Sequence, residues 1–371
     1  MSYAGEARGP AGSAGRARGS ARARGPAPPG WAAPALDAVL GRAARTGAEV
    51  GDRFPLFADP ATGAWTTTRR GSWTGGFWAG LLRLRARHTG APRDRAAARA
   101  ALERLAPWTG ADTATRGLIF WYGTLFADEA ADPADPDADA EELRAAAARA
   151  CLDSFDPEPG VVPWGGAFGG PRLLARTDGV PGLVPLLASV DPEAAGSHLR
   201  VHARLCLGGR PPCWSWRYGA GTGWTPVGDP PPGWSRGPAW LLLAAAEAAC
   251  HLPEAGLPDV LGALTPKELV PPADSARRDS PPDTSAAAVT AAALLLLGRR
   301  EHAVAVLREL VEAHLTADGR LLDGCYDLAA GTAVRHELVW GTFFLAYALA
   351  MLTGLADPHR PPGAAPAAPP T

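Results

Sequence analysis

Six stretches of this chain are apolar on nearly every face, near residues 73–88, 116–128, 178–190, 235–251, 284–298 and 337–353, and each is headed by polar or aromatic residues. A helix without a polar face has to be covered on all sides. Between these stretches lie segments rich in Ala, Arg and Glu, near 34–46, 93–106, 139–154, 192–207, 254–264 and 300–315. Their apolar residues recur at steps of three and four, as in a helix buried along one side. Six buried helices alternating with six half-buried ones close most simply as two concentric rings. The expected fold is therefore all-α, an (α/α)6 barrel with six inner and six outer helices. A solenoid of helical pairs is the rival, but the spacing of roughly 40 to 65 residues is too long and too irregular for one.

In such a barrel the polar heads of the inner helices gather at one mouth, where unsatisfied helix N–H groups also point. The barrel is expected over 31–355. Residues 1–30 are Gly, Ala, Ser, Pro and Arg, and 356–371 are rich in Pro and Ala. Neither end can bury an apolar face, so both are expected to be disordered. Arg8, Arg16, Arg18, Arg22 and Arg24 make the first tail basic, but the whole chain has net charge −2, and no nucleic-acid partner is expected. No apolar run reaches the length of about 18 residues that a membrane span needs. The five cysteines, Cys151, Cys206, Cys213, Cys250 and Cys325, are odd in number and widely spaced. Without an apolar leader, that pattern fits reduced thiols and a cytoplasmic location.

Trp-Ser-Arg-Gly-Pro-Ala-Trp at 234–240 resembles the Trp-Ser-Arg-Gly-Gln-Ala-Trp signature of unsaturated glucuronyl hydrolases and unsaturated rhamnogalacturonyl hydrolases, glycoside hydrolase families 88 and 105. Weaker matches follow in the same order as in that family. Gly71 to Gly80 is similar to its Asp-Trp-Thr-Ser-Gly-Phe-Trp-Pro-Gly. Trp164 and the run from Thr177-Asp178 to Leu187 are similar to its Trp and Ile-Asp element. Asp283 to Leu297 is similar to its Asp-Ser-Ser-Ala-Ala-Ala stretch, and Val339-Trp340-Gly341 with Phe343-Phe344 to its closing Ile-Trp-Gly-Asp-Tyr-Tyr. The likeness spans about residues 60 to 353. It implies an (α/α)6 barrel and a hydrolase that needs no metal or organic cofactor.

The resemblance also implies a chemistry. The family acts on saccharides whose terminal uronic acid carries a C4–C5 double bond. An aspartic acid protonates C4, water adds at C5, and the product opens and releases the saccharide. Ordinary glycosidases instead set two carboxylates about the anomeric centre. Asp178 falls at the catalytic aspartate. A carboxyl heading an apolar helix beside Trp164 loses hydration, which favours the protonated form that a general acid needs. Read without the family, Asp178 is more simply an N-terminal cap or first-turn residue of its helix. Arg236 and Trp240 match substrate-contacting positions and share one helix face, four residues apart. An arginine fork can grip a carboxylate or a hydroxyl pair, and Trp73, Trp164 and Trp240 can stack on sugar faces. The bland alternative is a structural arginine among core tryptophans.

The sequence also departs from the family. Its second aspartate lies in a His-Asp-Leu-Gly-Phe element. Placed on Thr115 to Phe120, that aspartate falls on Gly117 and the histidine on Arg116, which makes Arg116 a candidate anion contact near Asp178. A family histidine near the sugar falls at Trp214-Ser215-Trp216, and a glutamine falls in the Pro-rich stretch 226–232; the run Asp229 to Gly233 is expected to be a rigid loop at the mouth. Asp112 and Asp283 are possible substitute carboxylates. His198, His202 and Cys206, with Cys213 nearby, form a loose zinc-like set, and Gly165 to Gly170 is expected to be a mobile loop beside the pocket. Three readings follow: a sugar-processing hydrolase with an altered pocket, a non-catalytic binder of saccharides or small ligands, and a repurposed biosynthetic enzyme such as a cyclase or epimerase.

Overall fold

The computed structural model describes residues 27–127, 138–252 and 264–357. Both expected tails lie largely outside these residues, as does most of the half-buried helix expected near 254–264. In chain order the longer elements are α1 (Ala32–Val50), β1 (Phe54–Ala58), β2 (Trp65–Thr68), α2 (Gly75–Thr89), α3 (Pro92–Glu103), α4 (Tyr122–Thr124, entered through a π-helical turn, Gly117–Trp121), α5 (Ala138–Asp153), β3 (Leu174–Arg176), α6 (Leu183–Ala188) and α7 (Pro192–Leu207). The chain continues through β4 (Ser215–Gly219), β5 (Gly223–Val227), α8 (Arg236–His251), α9 (Thr284–Leu296), α10 (Arg300–Glu309), β6 (Gly324–Asp327), β7 (Thr332–Leu338) and α11 (Val339–Thr353).

The two classes of helix read from the sequence have different neighbours. Every residue of α9 is buried, as is α11 from Val339 to Leu352. α2 packs on α4, the π-helical turn leading into α4 packs on α6, α6 on α8, α8 on α9, α9 on α11, and α11 again on α2. The buried helices thus make a closed cycle of contacts. The amphipathic helices lie against it: α1 on α2 and α11, α3 on α2, α5 on α6, α7 on α6 and α8, and α10 on α9. α1 shows the reason, burying Ala32, Leu36, Val39, Leu40 and Ala43 along one stripe while its other side meets water.

Aromatic rings fill the middle of the cycle. Phe77 lies 5.3 Å from Tyr122 and 6.4 Å from Trp240, and Phe343 and Phe344 lie 5.4 Å from Phe77. Among these rings, Glu247 of α8 accepts hydrogen bonds from the Tyr122 hydroxyl at 2.5 Å and from Gly182 N–H at 2.8 Å. Complete burial pushes its carboxyl up to about 7, against the pull of those two bonds.

Beside the helices, the described residues also carry seven short strands in two sheets, ordered β2-β1-β7-β6 and β3-β4-β5, which the sequence reading did not include. These strands run three to seven residues. Such runs give too few alternations to register against the helical periodicity of their flanks.

Candidate active site

The N-terminal ends of α2 and α8, the turns leading into α4 and α6, and strands of both sheets border a cleft of about 760 Å³. Its walls include Trp73, Trp164, Trp234, Trp240 and Tyr326. Four carboxylates border it, Asp178, Asp229, Asp274 and Asp327, together with Arg176, Arg217, Arg236 and Arg277. Indoles facing ionised groups suit a sugar, which offers an apolar ring face and polar edges.

Asp178 sits in the 3-10 turn Thr177–Gly179, which carries the chain from β3 towards α6. It borders the cleft, as read from the sequence, but it is not shut away in apolar surroundings. Arg176 Nε donates to its Oδ1 at 3.1 Å, and Arg176 Nη2 to its Oδ2 at 3.3 Å. The Arg176 guanidinium lies 4.9 Å from the centre of the Trp164 ring. Burial works against this cation, and the charges of Asp178 and then Asp229 outweigh it, so Arg176 holds its proton above the ordinary arginine range.

Arg236 opens α8 and also borders the cleft. Its Nη1 donates to Asp283 Oδ2 at 2.8 Å and to Cys325 O, and its Nη2 donates to Tyr326 O at 2.6 Å. The guanidinium faces the rings of Trp234 at 5.1 Å and Trp340 at 5.7 Å. Its charge is answered by Asp283, and its main visible work is to tie α8 to α9 and β6. Trp240 is 1% exposed and stacks on Phe77, forming part of the cleft floor. Trp73 is half-buried, 5.1 Å from Trp340 and 6.4 Å from Tyr326, and it and Trp164 are the predicted indoles with open surface.

Arg116 is not in the cleft. It is buried, and it donates to Ala111 O, Ala150 O and Ser154 Oγ at 3.1, 3.0 and 2.8 Å, bracing α5. The arginine beside Asp178 is Arg176. Gly117 is not a cleft position either. A Cβ there would lie 2.1 Å from Leu183 N, and a Cβ on Gly182, itself at φ +69°, would lie 2.5 Å from Gly117 O. The two glycines let backbones of adjacent inner elements touch. In the same turn Thr115 and Leu118 face the cleft. The Thr115 hydroxyl is within 2.9 Å of the Thr113 hydroxyl.

The two substitute carboxylates have other work. Asp283 is fully buried and caps α9, with Oδ1 accepting from Ser285 N–H, Ser285 Oγ and Cys325 N–H, and Oδ2 from Ser235 Oγ and Arg236. Asp112 pins the Gly-rich loop, accepting from Gly166 N–H at 2.9 Å and Arg172 Nε at 3.0 Å. That loop does lie beside the cleft, which Phe168, Gly169 and Gly170 border. The zinc-like set is tied up in backbone bonds: His198 Nδ1 accepts from Val162 N–H at 3.1 Å, and His202 Nδ1 lies 2.7 Å from His198 O. Burial holds His202 down to about 4 and His198 well below its ordinary value. Among the described residues no three His, Cys, Asp or Glu side chains converge as metal ligands.

The sequence reading missed Arg176, Ser215, Arg217 and Asp229. The first three lie on short strands, where spacing carries little information. Asp229 lies in the Pro-rich stretch already expected at the mouth, and its neighbours Pro230 and Pro231 border the cleft too. No helix among the described residues is long and apolar enough to cross a membrane.

No protein-family model matches the chain, and no curated protein matches it. Solved structures do. An unsaturated glucuronyl hydrolase from Bacillus sp. GL1, responsible for the degradation of glycosaminoglycan, is 21% identical with a TM-score of 0.74, over 86% of this chain and 96% of that one. An unsaturated glucuronyl hydrolase specific for heparin is 18% identical with a TM-score of 0.75, over 87% and 97% of the two chains. A mutant enzyme of the same name from Streptococcus agalactiae, complexed with dGlcA-GalNAc6S, is 16% identical with a TM-score of 0.70, over 88% and 92%. The chain has the fold of the unsaturated glucuronyl hydrolases.

Proposed function

We propose that this chain is a divergent unsaturated uronyl hydrolase, built as an (α/α)6 barrel, that acts on a small saccharide ending in an unsaturated uronyl residue. The observation that carries the reading is Asp178 bordering an indole-walled cleft in a fold whose solved relatives include one bound to an unsaturated disaccharide. Asp178 acts as general acid and base, delivering a proton to C4 of the enol ether and helping water add at C5. Trp73 and Trp164 supply faces for the sugar, and Trp240 supports them from the floor. Arg236 shapes the cleft from behind through its bonds to Asp283 and the β6 carbonyls.

We also propose a different alignment for the missing family aspartate. If Gly117 takes the glycine of His-Asp-Leu-Gly-Phe, the aspartate position falls on Thr115, which faces the cleft. The altered pocket then holds a hydroxyl in place of a second carboxylate. That observation favours the non-catalytic reading as the second hypothesis. Incubation with unsaturated uronyl disaccharides, followed by loss of the double bond's ultraviolet absorbance, separates the two. The hydrolase reading expects steady loss of absorbance and a fall of roughly 10²- to 10⁴-fold in Asp178→Asn. Binding without any loss of absorbance establishes the second reading and removes the first.

A further inference from the structure

One wall of the cleft is the sheet β3-β4-β5. Arg176, Ser215 and Val227 form a single row across its strands, and all three border the cleft. Ser215 is fully buried, yet its hydroxyl makes no hydrogen bond to the protein. Native interiors seldom leave such a group unmatched, because its lost hydration is not compensated. Its ladder neighbour Arg176 serves Asp178 with Nε and Nη2, while Nη1 makes no hydrogen bond among the described residues. The residue with the partnerless hydroxyl and the residue with the unused guanidinium nitrogen are thus ladder partners that both border the cleft with the proposed acid.

We infer that Arg176 and Ser215 form the carboxylate-binding subsite of the cleft, holding the acid group of a uronyl ligand with the same guanidinium that holds Asp178. The inference rests on the uronyl reading above and adds how that ring is set against Asp178. A guanidinium is a rigid planar fork, so one edge can serve one carboxylate while the remaining nitrogen serves another. The Ser215 hydroxyl donates to the ligand's second carboxylate oxygen. Trp164 lies against the guanidinium and restrains its swing. In an unsaturated uronyl ring the carboxyl carbon is attached to C5, and C5 is double-bonded to C4. A single arginine gripping both carboxylates thus sets C4 close to the group that protonates it, which is a positioning effect. Arg236 is a poorer grip, since both of its terminal nitrogens are already taken, Nη1 by Asp283 and Cys325 O and Nη2 by Tyr326 O.

Glucuronate and glucuronamide, which carry no double bond and are not turned over, are the probes, titrated calorimetrically into the full chain. Glucuronate is expected to bind roughly tenfold or more tightly than the amide, as for one charge-assisted pair. Arg176→Gln is expected to erase that preference. Ser215→Ala is expected to weaken glucuronate severalfold while Tm stays level or rises, because an unpaired buried hydroxyl is removed. Equal binding of the two probes, or no binding of glucuronate, overturns the inference. So does a Ser215→Ala protein with unchanged glucuronate affinity and a lower Tm, the mark of a purely structural hydroxyl. Glucuronate preference without turnover of unsaturated substrates defeats the hydrolase reading alone. Turnover whose KM is untouched by Arg176→Gln defeats the subsite alone.

Discussion

Single residues around this cleft divide into those that face it and those that hold its walls, and residue type does not tell them apart. Asp178 and Asp283 are both aspartates at the head of an inner segment. Asp178 has one partner side chain and faces the cleft; Asp283 accepts five hydrogen bonds and is 0% exposed. Asp283→Asn is therefore expected to act on stability. It strips the counter-charge from buried Arg236, at a cost of about 3 to 5 kcal/mol in urea unfolding. Gly117 and Thr115, two positions apart in one turn, divide in the same way. Gly117→Ala is expected to lower stability by more than about 3 kcal/mol, because the nearest obstruction is backbone that cannot swing aside. Thr115→Asp is expected to stay folded and to change turnover, read by the same urea titration and absorbance assay. Retained stability in Gly117→Ala would mean that the inner elements can separate there.

At the scale of elements, the inner helices were legible because burial on all sides leaves no polar stripe, and that absence is itself a pattern. The expected segments at 235–251, 284–298 and 337–353 differ from α8, α9 and α11 by no more than two residues at either end. The outer helix at 192–207 coincides with α7, whose start is marked by Asp191 accepting from Ala194 N–H at 2.9 Å ahead of Pro192. Asp191→Ala is expected to cost about 1 kcal/mol, the usual loss for such a cap, measured as a shift in urea midpoint with unchanged slope. The strands were not legible. A three-residue strand such as β3 offers a single alternation, and which face it turns to the cleft depends on the partner strand rather than on its own sequence. Arg176 was missed for that reason, and Arg116 was put in its place by laying the family's His-Asp-Leu-Gly-Phe element on residues 115–120, where its side chain in fact turns towards α5.

For the molecule as a whole, buried ionisable groups set the response to pH. Glu247 bridges α4, α8 and the turn before α6, and Tyr122, Cys250 and Tyr347 are the titratable groups that interact with it. Its carboxyl stands at about 7 when folded against 4.5 as a free side chain. The folded state thus binds this proton more tightly, and the stability it contributes is present below pH about 4.5 and lost as pH rises to about 7, a change of about 3 kcal/mol. His202 runs the other way. At about 4 when folded against 6.5, it contributes stability above pH about 6.5 that is lost as pH falls to about 4. The opposed slopes are expected to flatten the native profile between about pH 4.5 and 6.5. Glu247→Gln removes one slope, so its Tm is expected to fall relative to the native chain on going from pH 8 to pH 5. A Tm difference independent of pH would place the Glu247 titration elsewhere.

The sequence alone determined which helices are inside, because covering an apolar surface is a property each segment carries in its own composition. The resemblance of their segments to a known family singled out Asp178, Trp73, Trp164 and Trp240, and all four border the cleft. Only the tertiary structure decided which arginine stands beside Asp178, which carboxylate is already saturated, and which hydroxyl is left without a partner. Those are relations between segments far apart in the chain, fixed by strand register and by the close approach of Gly117 to Gly182, and no single segment contains them.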